Sequence, residues 1–204
     1  MQSGDRSRRQ DRATHTRLAL VDVALNLFST NGFDQTTTDQ IAEGAGVSPR
    51  TFFRYFPTKE SVLFFGEYDF VRAFSGVYLA QPDAVSELDA MTNAFVTLAP
   101  GLARMRKRIT LYREAVASSV KLIGQERKNH DASARTVAEA IALRRQIREP
   151  DEECLLLGSV GMLVVERSID RWIRMPAGTP PEDVVRTEFA SLRELMGIRR
   201  VSSP

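Results

Sequence analysis

Apolar residues recur along the chain at intervals of three and four positions, the spacing that places side chains on one face of an α-helix. Near the start, this interval joins Leu18, Val21, Leu25 and Phe28. Alternating apolar and polar positions, which mark a half-buried strand, are missing from the sequence. The pattern therefore predicts an all-α protein.

Proline, glycine and small polar residues divide this pattern into separate helices. Thr58 can cap a long, aromatic-rich helix that runs to Gln81-Pro82, and Asp83 can cap the next helix, through Leu98. Further helices are predicted over 102–116 and 120–147, in a segment that Asp151 can cap, and after the loop 175–183.

Residues 36–60 combine two helix starts with a glycine turn. Thr37 and Gln40 have the spacing of a capping box, in which each side chain bonds to the other residue's backbone amide. Gly46 suits the positive φ of a turn, and Ser48-Pro49 is a typical start for the next helix. The spacing predicts two short helices joined by a tight turn.

The second of these helices has two different faces. Phe52 and Phe56 are four positions apart and face inward, whereas Arg50 and Arg54, also four apart, lie roughly opposite. Ala42 in the first helix is small enough to let the two helices cross closely. This arrangement is typical of a helix-turn-helix that binds DNA. A helical hairpin with a merely solvated basic face is the alternative.

The segment resembles the DNA-binding domain of the tetracycline-repressor (TetR) family. The matching residues are Leu27-Phe28, Gly32-Phe33, Thr36-Thr37, Ile41-Ala42, Ala45-Gly46-Val47-Ser48, Thr51-Phe52-Phe53, Tyr55-Phe56 and Lys59-Glu60. They cover about the first third of the chain, and their combined spacing is highly specific.

The resemblance implies an N-terminal three-helix helix-turn-helix DNA-binding domain followed by a helical ligand-binding and dimerisation domain. We assign residues 1–13 to a flexible basic arm, 14–57 to the DNA-binding domain, 58–198 to the regulatory and dimerisation domain, and 199–204 to a tail. The implied function is that of a transcriptional regulator, a repressor by family default. It would bind a palindromic operator as a homodimer and be released by a small-molecule ligand.

Three positions depart from the family pattern. Phe53 stands where the family commonly has a tyrosine that bonds to a phosphate, so only apolar contact with a sugar or a thymine methyl remains. Tyr55 stands where histidine is common and can still donate to a phosphate. Gly44 lies inside the first short helix, where glycine costs about 1 kcal/mol relative to alanine.

The expected DNA contacts divide into two roles. Phosphate contacts, through free amides at helix starts or through side chains, are predicted for Thr36, Thr37, Ser48, Tyr55 and Lys59. Base contacts in the major groove are predicted for Arg50, Thr51 and Arg54. An arginine in the first turn of the helix can bind guanine O6 and N7 together, which makes Arg50 the best candidate.

The two closing helices carry broad apolar faces, which a chain of 204 residues cannot easily bury alone. In the family, the last two helices pair with their two-fold mates as a four-helix bundle. We therefore predict an isologous homodimer, with burial inside a monomer as the alternative. The predicted interface comprises Leu155, Gly158, Gly161, Val165, Val185, Phe189, Leu192 and Met196.

A net charge of +2 and a pI near 8.9 are too mild to indicate nucleic acid by themselves. The basic residues are concentrated at the front of the chain, at Arg6, Arg8, Arg9, Arg12 and Arg17. Such an arm can enter the minor groove or neutralise phosphates. A solvated tail without DNA contact is the alternative.

A regulatory ligand is expected among the middle helices only because of the resemblance. The candidate pocket lining is Phe74, Phe95, Leu98, Met105, Tyr112, Met162 and Trp172, although such residues are more often core. A basic series can face an anionic ligand such as an acyl thioester or simply be solvated; it comprises Arg104, Arg106, Lys107, Arg108 and Arg113.

The sequence contains no catalytic motif. Cys154, the single cysteine, begins an apolar run and is expected to be a buried small hydrophobe. His15 and His130 lack metal-ligand spacing, so we expect neither metal nor cofactor nor catalytic residue. The alternative to a regulator is a helical-bundle enzyme, or a ligand-binding protein that carries a vestigial helix-turn-helix.

Nothing in the sequence resembles a signal peptide, because Asp22 and Asn26 interrupt the apolar segment 18–28. The longest apolar run, 154–165, is too short to span a bilayer. We therefore expect a cytoplasmic protein.

Overall fold

The computed structural model describes residues 3–64 and 66–197, with the side chains of 12–64, 66 and 69–197. The α-helices are α1 Ser3–Asn31, α2 Thr38–Gly44, α3 Pro49–Tyr55, α4 Glu67–Leu79, α5 Glu87–Leu98, α6 Pro100–Ala103, α7 Arg106–Ala117, α8 Val120–Arg144, α9 Glu152–Arg174 and α10 Pro181–Leu195. A 3₁₀ turn covers Glu60–Val62. The described residues contain no strand, which confirms the predicted all-α class. The predicted tail lies outside them.

The chain folds into two compact units. One, which we call the head, comprises Met1–Phe65 and Lys107–Arg127. The other, which we call the body, comprises Gly66–Arg106 and Lys128–Pro204. The domain boundary predicted at residue 58 therefore lies before the end of the head's first segment. The second segment of the head was not predicted.

α1 begins earlier than the sequence indicated. Its backbone is helical from Ser3, so residues 3–13 continue α1 instead of forming a separate arm. After Gly4 this stretch contains no glycine or proline, and its arginine, glutamine and alanine residues favour the helix. The side chains of Arg6, Arg8 and Arg9 lie outside the described residues, and DNA contact by this segment stays a prediction.

The helix expected to run from Thr58 is interrupted. Thr58 and Ser61 exchange amide-to-hydroxyl hydrogen bonds of 3.2 Å, which support only the short 3₁₀ turn. Gly66 then has a φ of +102°, a left-handed conformation that ends a right-handed helix. α4 starts directly after it.

Other helix boundaries also differ from the prediction: α8 ends at Arg144 and not at 147, and α10 begins at Pro181, inside the predicted loop. The cap of α5 is Ser86, whose hydroxyl accepts from the amide of Asp89 at 3.2 Å, and not Asp83. The helix expected over 102–116 is divided into α6 and α7. Asp151 caps α9 as predicted, because its carboxylate accepts from the amide of Cys154 at 2.8 Å.

The head is built around the inward faces of α1, α2 and α3. Its buried residues include Leu20, Phe28, Ile41 and Phe52, and Ala115, Val116 and Leu122 from the second segment join the same cluster. A Cβ on Gly44 would lie 2.8 Å from Cγ1 of Val23, so glycine allows α2 to approach α1 closely. Gly44 therefore serves packing and does not simply loosen α2.

Polar contacts hold the second segment of the head against the first. Arg108 on α7 makes a two-pronged ion pair with Asp22 on α1, in which Nη2 lies 2.7 Å from Oδ2. Lys121 at the start of α8 pairs with Glu60 in the 3₁₀ turn. Ser29 donates to Glu114 at 3.1 Å. Both α7 and the first turns of α8 are thus fastened to the first segment of the head.

The body contains a core of stacked aromatic rings. The ring of Phe74 lies 4.3 Å from that of Phe95 and 5.4 Å from that of Tyr78, and Phe189 of α10 stacks on Phe95 at 5.9 Å. All four side chains are buried. α4, α5 and α10 therefore meet through one aromatic stack.

Most residues predicted at a dimer interface face this core instead. Gly158, Gly161, Val165, Val185 and Phe189 are buried within the chain. Leu155 and Leu192 are partly buried against the same cluster, and only Met196 is exposed. The prediction was wrong for the buried residues, because an apolar stripe does not distinguish a neighbouring helix from a partner chain.

The two glycines show this most directly. A Cβ on Gly158 would lie 2.4 Å from the carbonyl oxygen of Ala134 in α8. A Cβ on Gly161 would lie 2.4 Å from the sulfur of Met91 in α5. Each glycine allows close helix approach, but to a helix of the same chain and not to a partner.

Arg106, part of the predicted basic series, is not a solvated side chain. Its guanidinium lies 4.9 Å from the centre of the Trp172 ring and donates to the carbonyls of Trp172 at 3.0 Å and Ile173 at 3.2 Å. These carbonyls belong to the last turn of α9, where helical backbone partners run out, and the Trp172 carbonyl also accepts from the amide of Met175 at 3.0 Å. Arg106 therefore caps α9.

Within the described residues, no helix is both long enough and apolar enough to cross a membrane.

Candidate DNA-binding site

The start of α2 has the predicted capping box. The hydroxyl of Thr37 accepts from the amide of Gln40 at 3.2 Å, and the side chain of Gln40 accepts from the amide of Thr37 at 2.8 Å. Such caps contribute about 1 kcal/mol each. The position of α2 is therefore determined by local sequence.

The turn between α2 and α3 also follows the prediction. Gly46 has a φ of +67°, and the amide of Val47 donates to the carbonyl of Ala42 at 2.9 Å. Ser48 caps α3, since its hydroxyl accepts from the amide of Thr51 at 3.2 Å, and Pro49 occupies the first turn. The two helices are thus joined in a fixed geometry.

α3 has a buried and an exposed face. Phe52 and Phe56 are buried in the head, with ring centres 5.8 Å apart. Arg50, Phe53 and Arg54 are exposed. The structure thus places two arginines and an aromatic ring on one accessible surface, which is the face predicted to contact bases.

Two further predicted residues lie beside this surface. Thr51 is half-buried, and its hydroxyl lies 3.0 Å from that of Ser48. Tyr55 is half-buried between guanidinium groups, with Arg54 at 5.0 Å and Arg17 at 5.8 Å from the centre of its ring. These cations lie near the tyrosine that is predicted to contact a phosphate.

Lys59 occupies a more internal position than expected. Its ammonium donates to the carbonyls of Phe33 at 2.7 Å and Thr36 at 2.8 Å, and lies 4.2 Å from the centre of the Phe33 ring. Burial lowers the pKa of Lys59 from its ordinary value. Since an ammonium has three donors, two of them are already used in holding the loop before α2.

Thr36 cannot act as the predicted phosphate ligand. Its side chain is 1% exposed, and its hydroxyl donates to the carbonyl of Gly32 at 2.8 Å. Its amide donates to the carbonyl of Phe33 at 3.3 Å, because the helix begins at Thr38 and not at Thr36. The prediction for Thr36 was wrong, since adjacent threonines in a motif need not face the same way.

The residues predicted to line a ligand pocket do not form one group. Phe74, Phe95, Met162 and Trp172 are buried in the body, and Trp172 donates through Nε1 to the carbonyl of Thr179 at 2.7 Å. Leu98 packs against the same core, and Met105 is 37% exposed.

Tyr112 belongs to the head, where its hydroxyl donates to Glu126 at 3.0 Å and its ring contacts Phe64. A depression of about 190 Å³ in the body is lined by charged side chains and by none of the predicted residues: Arg167, Asp170, Arg171, Arg174 and Glu188.

The remaining reactive side chains have ordinary environments. Cys154 is buried, and burial raises the pKa of its thiol. His130 lies with Nδ1 3.3 Å from a carboxylate oxygen of Glu166. The described residues contain no group of three or more histidine, cysteine or carboxylate side chains that could hold a metal ion.

The helix-turn-helix matches a known family model. Residues 20–64 match the model for bacterial regulatory proteins of the tetR family. The chain is 40% identical over 87 residues to the HTH-type transcriptional regulator TcmR of Streptomyces glaucescens, a match that covers 43% of this chain and 38% of that protein. The chain thus spans well under half the length of this curated relative.

Solved structures match over nearly the whole chain. FadR of Thermus thermophilus, a TetR family transcriptional repressor in complex with lauroyl-CoA, has 26% identity and a TM-score of 0.57, covering 92% of this chain and 98% of that one. The fatty acid degradation regulator FadR of Bacillus halodurans has the same fold, with 17% identity, a TM-score of 0.62, and coverage of 90% and 96%.

Fold and site together define an all-helical protein whose N-terminal helix-turn-helix precedes a helical second unit. The predicted resemblance is confirmed: the helix-turn-helix of this chain matches that of the TetR family of bacterial regulatory proteins.

Proposed function

We propose that the protein is a transcriptional repressor that binds a palindromic operator as a homodimer and is released by a small molecule. One observation carries the DNA-binding part of this proposal. α3 presents Arg50, Phe53 and Arg54 to solvent while Phe52 and Phe56 anchor the helix from behind. A rigid helix with an exposed basic face fits the major groove.

Arg50 is the proposed determinant of one operator position. It lies in the first turn of α3 and is exposed, so its guanidinium is free to bind O6 and N7 of a guanine. Arg54 lies one turn later and is proposed to contact a neighbouring base or phosphate. Thr37 and Ser48 are exposed and Tyr55 is half-buried, and we assign them contacts with the DNA backbone; Lys59 retains one donor for a phosphate.

Selection of binding sites from a random DNA library tests the proposal. The wild-type protein should enrich a palindrome whose half-sites are about one helical turn apart, roughly 34 to 36 Å. Arg50→Ala should lose preference at one base pair per half-site, at a cost of about 1–3 kcal/mol for each lost contact. Enrichment of no sequence, or an unchanged preference in Arg50→Ala, would contradict the proposal.

The homodimer is supported by exposed leucines on α9. Leu156 is 65% exposed and Leu163 is 53% exposed, and they are seven positions apart, so they lie on the same face of the helix. We propose that this face, and not the buried residues predicted from sequence, pairs with a second copy.

An acyl-CoA is the effector class with most support. FadR of Thermus thermophilus, the 26% identical structure, was solved with lauroyl-CoA. The body of this chain holds an aromatic stack in which a fatty chain would find apolar partners. Because the stack is closed in the structure described, binding would require its side chains to separate.

Adding lauroyl-CoA to the protein tests this effector. Thermal unfolding should shift upward, and the operator complex should dissociate in a gel-shift assay, whereas CoA alone should do neither. Absence of both effects across saturated chains of different length would exclude this ligand class without affecting the proposed DNA binding.

A further inference from the structure

Phe53 is an apolar side chain that is exposed to water in the isolated protein. Within the described part of the chain it is the one phenylalanine with an exposed side chain, at 51%. Its neighbours Phe52 and Phe56 contribute fully to the core of the head. A large apolar ring left in water on a functional surface points to a partner that covers it.

The ring of Phe53 packs against a core side chain on one side. Its centre lies 5.3 Å from that of Phe52, with the two planes at 86°, an edge-to-face contact. Phe52 is completely buried in the core of the head. Phe53 therefore rests on a buried ring while its other side stays exposed on the outer surface of α3.

Its position places it among the proposed base contacts. Phe53 lies three positions after Arg50 and directly before Arg54, and all three side chains are exposed. Residues three and four apart share a face of a helix. Phe53 therefore shares its surface with Arg50.

Among the groups on base edges in the major groove, the C5 methyl of thymine is the apolar one. A phenyl ring cannot donate or accept a conventional hydrogen bond, so it cannot substitute for a tyrosine that bonds to a phosphate. We propose that Phe53 is a specificity-determining residue that contacts the C5 methyl of one thymine in each half-site. This inference rests on the proposed function.

Replacing thymine with uracil removes only that methyl group and tests the inference directly. With the selected operator, each thymine is changed in turn to uracil and the Kd is measured by fluorescence anisotropy at one fixed salt concentration. The wild-type protein should bind about four-fold more weakly for one substituted half-site, the loss expected for one buried methylene-sized group. The effect should appear at one thymine per half-site.

Variants of Phe53 identify the side chain responsible. In Phe53→Ala the difference between thymine and uracil should disappear, whereas Phe53→Leu, which keeps an apolar side chain, should retain part of it. Arg50→Ala serves as the matched control, because it should weaken binding and still distinguish thymine from uracil. Circular dichroism and thermal unfolding verify that each variant is folded.

The possible failures are distinguishable. If the wild-type protein selects no operator, the proposed function itself fails. If it binds an operator but uracil changes the Kd at no position, or if Phe53→Ala still distinguishes the two bases, the methyl contact is overturned while DNA binding stands. Sequence-independent contact with a sugar would give this second result.

Discussion

Tyr78 is a buried residue whose hydroxyl makes no hydrogen bond within the described part of the chain. Its side chain is 0% exposed. Burial raises the pKa of Tyr78 to about 12, so the phenol stays neutral in the ordinary pH range. Its guanidinium neighbour, Arg144, lies over the ring at 5.5 Å and donates to carbonyls instead.

Removing this hydroxyl should stabilise the protein. We expect Tyr78→Phe to raise the free energy of unfolding by about 1–3 kcal/mol, because a buried group without a partner costs its desolvation. Urea unfolding followed by circular dichroism measures the change. Tyr55→Phe is the control and should leave stability nearly unchanged, since Tyr55 is only half-buried. A loss of stability in Tyr78→Phe would show that the hydroxyl does have a partner.

Arg106 should matter more than its place in a basic series indicates. Arg106→Ala removes the donors to the Trp172 and Ile173 carbonyls and the cation over the indole. We expect a loss of about 1–3 kcal/mol in the free energy of unfolding. Arg104→Ala, at an exposed position nearby, should change stability by less than about 0.5 kcal/mol. Equal effects of the two variants would mean that the cap does not stabilise α9.

Among the helices, α9 offers a comparison between two glycines on buried faces. Gly158→Ala would bring its Cβ against the backbone carbonyl of Ala134, which cannot move without shifting α8. Gly161→Ala would meet the end of the Met91 side chain, which can take another rotamer.

We therefore expect Gly158→Ala to cost clearly more stability, of the order of 1–3 kcal/mol, although alanine favours a helix over glycine. Thermal unfolding of the two variants side by side tests the order. If Gly161→Ala were the more damaging change, Met91 would have to be as rigid as backbone.

The start of a helix could be predicted wherever a cap depends on nearby residues alone. Thr37, Ser48 and Asp151 each cap a helix as expected, since the hydrogen bond spans three positions of sequence. The helix break at Gly66 and the capping of α5 by Ser86 could not be predicted from nearby residues. Both positions have several local solutions, and packing in the folded unit decides among them.

The candidate site was predictable in its exposed part and not in its buried part. The outward positions of Arg50 and Arg54 follow from helical spacing. The inward turn of Thr36 and the two carbonyl contacts of Lys59 depend on a loop whose path no spacing rule describes. The apolar faces of α9 and α10 likewise predicted which residues are buried, but not whether a helix of the same chain or a partner chain covers them.

For the whole molecule, the exposed leucines of α9 predict its oligomeric state. Leu163→Glu should convert a dimer into a monomer at micromolar concentration, because it places a charge inside the proposed apolar interface. Analytical ultracentrifugation measures the mass. Leu143→Glu adds the same charge at another exposed leucine, on α8, and should remain dimeric. A dimeric Leu163→Glu protein would place the interface elsewhere.

The head is made from two stretches of chain, and this affects its synthesis. Leu122 and Arg108, which pairs with Asp22 of the first stretch, belong to the second stretch, and about 40 residues of the body separate the two stretches. At roughly 5–20 residues per second, the ribosome needs about 3–12 s to pass from residue 65 to residue 127. During that interval the apolar surface that α7 and α8 later cover stays open on the nascent chain. The DNA-binding unit, although its translation begins first, cannot be completed until residues 107–127 have also been made.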